Sequence, residues 1–88
     1  PCSLLLQDCV NSAHGCFPLA SGPACYTAGG VADGQPCQFA NSCNKGSACI
    51  NSGGITCRKI CNADGGTPNC TTGACNPLSG GMGAGVCI

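Results

Sequence analysis

Residues 37–57, CQFANSCNKGSACINSGGITC, place four cysteines at gaps of five, five and seven residues. Gly46 stands shortly before the third cysteine, and Gly53-Gly54 stand shortly before the fourth. So short a run has too few apolar side chains to close a core, so sulfur must hold its shape. Outward from it, similar spacing recurs on both sides. Cys2, Cys9, Cys16 and Cys25 stand at gaps of six, six and eight; Cys61, Cys70, Cys75 and Cys87 at gaps of eight, four and eleven. A glycine again precedes each third cysteine closely (Gly15, Gly73), and Phe17-Pro18-Leu19 matches Asn76-Pro77-Leu78. We read a degenerate triplication of a four-cysteine unit. Module one covers 1–25, a linker 26–36, module two 37–57, a short link 58–60 and module three 61–88. The eleven-residue linker makes a hinge or elbow the expectation for module one, and the three-residue link a rigid coupling of the other two.

Composition agrees with a sulfur-held chain and excludes several classes. Of 88 residues 12 are cysteine, only 7% are charged, and the net charge is zero. Three cations cannot form a nucleic-acid footprint. The longest aliphatic run, Leu4-Leu5-Leu6, is far short of a membrane span. Disorder normally goes with high net charge and little apolar content, the reverse of this chain. Zinc would favour closely paired cysteines with histidine, and here the tightest pair is Cys57-x3-Cys61 with His14 alone to assist. The expectation is six disulfides, no metal and no cofactor, in an extracellular or cell-surface setting. The start at Pro1 reads as a processed mature form or a fragment.

The expected fold class is small and disulfide-rich, with little regular structure beyond short β-hairpins and turns. Fifteen Gly and six Pro interrupt the chain too often for helices longer than one or two turns. Strands are expected at Gly54–Lys59 and Gly85–Ile88, where β-branched residues flank a cysteine. Ser3–Val10 suits a helical turn or a strand, since a leucine triplet fits either period.

The stretch from Asp33 to Cys61 resembles the Cys-rich repeats of secreted proteins and lipoproteins of the myxobacterial type. The matching residues are Asp33, Gly34, Cys37, Cys43, Gly46, Cys49, Cys57, Arg58, Lys59 and Cys61. Asp64-Gly65-Gly66-Thr67-Pro68 and Gly85-Val86-Cys87 extend the likeness, and Cys43–Cys49 is loosely similar to Dickkopf- and EGF-like modules. The resemblance implies a cysteine framework on a secreted or surface protein and brings no catalytic residue with it. Spacing leaves three pairings open in each set of four cysteines. Analogy with other small modules favours first-to-third and second-to-fourth, with bridges between sets near Cys57 and Cys61 also open.

Little in the chain points to catalysis. Asp8, Ser12 and His14 supply the residue types of a triad, but a triad is a tertiary arrangement and closeness in sequence does not make one. Asp33 and Asp64 stand in Asp-Gly turns. Cys57, beside Arg58 and Lys59, is the one candidate reactive thiol, and an even cysteine count pairs it. These three arguments lead us to expect a non-enzyme. Lys45, Arg58 and Lys59 are all the cations, and Asn69-Cys70-Thr71 matches an N-glycosylation sequon, so a glycan is a candidate partner or modification. Leu4–Leu6, Phe17, Leu19, Phe39, Ile50, Ile55, Ile60, Leu78, Val86 and Ile88 look too numerous to hide inside small disulfide knots. Leu4, Leu5 and Leu6 near one terminus and Val86 and Ile88 near the other suit a head-to-tail contact between copies. The leading expectation is a self-assembling extracellular filament or surface layer. The alternative is a monomeric binding module that presents a braced loop, Tyr26–Pro36 or Asn76–Val86, to a protein or glycan.

Overall fold

A computed structural model describes residues 2–19, 22–51, 53–78 and 83–88. The residues flanking Cys57 and Cys61 are β-branched or long, and they form the longest strand, β4 (Ile55–Asn62), which takes in Ile55–Lys59 of the first expected strand and runs past it. The second expected strand is β6 (Ala84–Cys87). Four more precede or lie between them: β1 (His14–Leu19), β2 (Gly22–Thr27), β3 (Ser47–Asn51) and β5 (Cys75–Pro77). Strands β1 and β2 pair as a two-stranded sheet, and β3-β4-β6-β5 form a four-stranded one, antiparallel throughout. No helix occurs among the described residues. Ser3–Val10 holds a single turn, closed by Gln7 N–H donating to the Ser3 carbonyl at 2.9 Å.

Register explains the sulfur pairing. The third and fourth cysteines of every set are direct cross-strand partners: Cys16 with Cys25, Cys49 with Cys57, and Cys75 with Cys87. Opposed residues send their side chains to the same face, side by side. These opposed cysteines do not bond to one another; each takes a cysteine from the segment ahead of it. The bridges are Cys2–Cys16 and Cys9–Cys25, Cys37–Cys49 and Cys43–Cys57, and Cys61–Cys75 and Cys70–Cys87. Their Cα–Cα separations of 5.7–6.0 Å fall in the ordinary range. The pairing is first-to-third and second-to-fourth throughout.

The sets are not separate beads. Cys57 and Cys61 lie on the same strand, so Arg58–Ile60, read from sequence as a link, is the interior of β4. The third set's strands β6 and β5 thereby extend the sheet begun by β3 and β4. Side chains on a strand alternate faces, and β4 uses both. Ile60, opposite Val86, joins Cys2, Leu4, Cys16, Ala48, Ala84 and Val86 in one apolar cluster drawn from all three sets. Cys57, on the other face, packs with Cys37 and Cys43, flanked by Val31 and Cys49.

The segment 26–36 is stitched down rather than free. Tyr26 and Thr27 belong to β2; Gly29 N–H donates to the Asn41 carbonyl at 2.8 Å and Val31 N–H to the Ser42 carbonyl at 3.0 Å. Further on, Gly34 N–H donates to the Cys57 carbonyl at 2.7 Å, laying the segment along β4. The radius of gyration, 11.4 Å, is no larger than the roughly 12 Å of an ordinary folded chain of this length. A splayed tandem array would exceed it.

Candidate functional site

The apolar residues expected at a contact between copies divide sharply. Leu4 and Val86 are 4% and 2% exposed and share one cluster, because the register Ile60–Val86 puts the C-terminal strand beside the N-terminal turn. Phe17 and Ile60 are also buried, while Leu5, Leu19, Ile50 and Leu78 are half-buried. Leu6, Phe39, Ile55 and Ile88 remain exposed, with Val10 and Tyr26. The two terminal apolar groups thus meet inside the protein, and Leu6 and Ile88 are the members of the expected contact left at the surface. Of the two braced loops, 26–36 is hydrogen-bonded to its neighbours, and Asn76–Val86 includes residues 79–82, which lie outside the described residues.

The candidate catalytic types do not converge. Asp8 accepts the Ser3 N–H at 2.8 Å, His14 opens β1 opposite Thr27, and Ser12 lies in an exposed turn. No hydrogen bond joins these three side chains to one another among the described residues. Cys57 is fully buried and bridged to Cys43. In each set, three sulfurs lie within 4.8 Å of one another, for example those of Cys37, Cys43 and Cys57. This closeness comes from two bridges packed side by side. A bridged sulfur carries no thiolate with which to hold a metal, and no cysteine is free.

What the fold does bring together is charge. Asp33 enters the turn before the stretch laid along β4, and its carboxylate accepts a hydrogen bond from the hydroxyl of buried Ser47. Ser47 is the cross-strand partner of Lys59, and Ala48 that of Arg58. The Lys59 ammonium donates to the Asn69 carbonyl at 2.8 Å, which ties β4 to the loop anchored by Cys70–Cys87. Asn69 and Thr71 of the sequon are both exposed.

Two adjoining open clefts result. The first, about 320 Å³, is lined by Asp33, Arg58, Lys59, Thr71, Thr72 and the backbone around Gly73. The second, about 430 Å³, is lined by Asp33, Lys45, Ser47 and Lys59, with Leu5 and Gln7 at its other wall. They share Asp33 and Lys59, and the two clefts together are called the trough below. Every Lys and Arg of the chain lines it, whereas Asp8 and Asp64 line neither cleft. Arg58 Nε is buried with no hydrogen-bond partner among the described residues.

Sequence reasoning did not find this trough, because its walls come from residues 33, 45, 58–59 and 71–73, which only the strand order makes neighbours. It also missed Gln7. That side chain donates to the Leu4 carbonyl at 2.8 Å and the Cys16 carbonyl at 3.1 Å, and accepts Cys16 N–H at 2.8 Å. It pins the N-terminal turn to β1 as a short strand would. No protein-family model, curated protein or solved structure matches the chain.

Proposed function

We propose that this is an extracellular, disulfide-stapled module without catalytic activity, whose work is to hold a rigid binding surface against a partner. The observation that carries the reading is that all three cations of a neutral chain line two clefts that have Asp33 and Lys59 in common. Six bridges in 88 residues are typical of extracellular proteins, and they keep such a surface in shape without a large core. No helix is long and apolar enough to cross a membrane among the described residues. The test is binding of the natively bridged protein to an array of glycans and secreted proteins, beside the same chain reduced and alkylated. Capture by the bridged form alone supports the reading, and capture by neither form overturns it.

A second reading, self-assembly into a filament or surface layer, draws on the remaining exposed apolar side chains. Leu6 is 75% and Phe39 68% exposed on a surface with few charges. Sedimentation and negative-stain imaging across a concentration series decide it. Concentration-dependent polymers that Leu6→Ser abolishes support assembly; a monomer at every concentration excludes it.

A further inference from the structure

The trough has the chemistry of a site for an acidic chain. Three cations and one carboxylate, Asp33, line its two clefts, and that carboxylate already accepts the Ser47 hydroxyl. Local charge along it is therefore +2 in a chain whose net charge is zero. None of the three cations hydrogen-bonds a carboxylate among the described residues; the one hydrogen bond from them there is Lys59 to the Asn69 carbonyl. Thr71 and Thr72 add exposed hydroxyls on one wall.

The shape narrows the ligand. Small-molecule sites are enclosed and mostly apolar; this trough is open and its cations are spread along it. A single exposed ion pair contributes little, so useful affinity needs several anionic groups engaged at once. Three cations are too few for a nucleic-acid duplex, and no aromatic residue lines either cleft to stack a base.

We infer that the trough binds a stretch of acidic polysaccharide, sulfated or uronate-bearing. Lys45 and Lys59 pair with its anionic groups, and Thr71 and Thr72 hydrogen-bond its hydroxyls. This rests on the binding-module reading and names the partner's chemistry. The probes are dextran sulfate, polygalacturonate and neutral dextran, each titrated against the natively bridged protein with binding followed by calorimetry. Dextran sulfate, polygalacturonate or both bind, dextran does not, and added salt weakens the binding. Lys45→Gln and Lys59→Gln each weaken it about 2- to 5-fold, the range of one exposed pair. Thr71→Ala with Thr72→Ala, which leaves charge untouched, weakens it as well, whereas Asp64→Asn does not. Equal binding of dextran, or charged-chain binding that the threonine pair leaves unchanged, overturns the inference. Array capture of a protein or a neutral glycan alone overturns it too, yet leaves the binding-module reading standing. Failure to bind anything removes both.

Discussion

Leu4→Ala separates two views of the N-terminal leucines. Leu4 is 4% exposed and shares the central cluster with Ile60 and Val86. Truncation to alanine removes three carbons from an environment closed to water. At about 0.8 kcal/mol per buried methylene, the transfer loss is roughly 2.4 kcal/mol. A residual cavity adds to this, so the whole effect falls at about 2–5 kcal/mol. Leu6, two residues on and 75% exposed, is the internal control, and Leu6→Ala should change stability by no more than about 0.5 kcal/mol. Guanidinium unfolding of the bridged protein, followed by circular dichroism, measures both. In a thermal scan the Leu4 variant should fall by about 10 °C or more, since 1 kcal/mol shifts a domain of this size by roughly 4–8 °C. Were Leu4 part of a surface contact between copies instead, its truncation would leave the monomer's unfolding unchanged and lower only its self-association. Equal midpoints for the two variants would refute the shared core.

Other consequences follow from single positions. Gln7→Ala removes two hydrogen bonds between the N-terminal turn and β1 and one within the turn, and the loss at about 0.5–1.5 kcal/mol each should appear as faster amide exchange at Cys16; unchanged protection there would contradict the pinning role. Gly85 lies in buried β6, where an added Cβ would stand 2.8 Å from the Asn76 carbonyl carbon and 3.0 Å from Cys75 Sγ. Gly85→Ala should cost about 1–3 kcal/mol by overpacking, and a thermal midpoint equal to that of the unsubstituted protein would tell against the β5–β6 register. Replacing both Cys43 and Cys57 by alanine opens a loop of separation 14 and should cost about 3 kcal/mol in denaturant unfolding; an unaltered midpoint would mean that bridge does not constrain the chain.

How far the residues alone reveal the molecule depends on the range of the interaction. Cysteine spacing marks the three sets but leaves the pairing within each open; register decides it locally, where a turn glycine such as Gly46 sets where β3 begins and Cys49 falls opposite Cys57. Strands β4 and β6 were readable from Ile55, Thr56 and Val86 beside cysteines. The shared core was not readable. Burial of Leu4 and Val86 depends on β6 joining the sheet across from β4, a long-range choice that no local pattern encodes. The same closure makes Arg58 and Lys59 successive residues of a strand rather than a link, and it brings Thr71 to one cleft that both line and Lys45 to the other that Lys59 lines. Gln7 escaped notice because a lone glutamine has no periodicity to betray its three backbone contacts.

The most direct measurement is the disulfide map of the native protein, from proteolysis without reduction and mass spectrometry of the linked peptides. The account requires Cys2–Cys16, Cys9–Cys25, Cys37–Cys49, Cys43–Cys57, Cys61–Cys75 and Cys70–Cys87. A bridge between sets, or thiols found free or holding a metal, would contradict it.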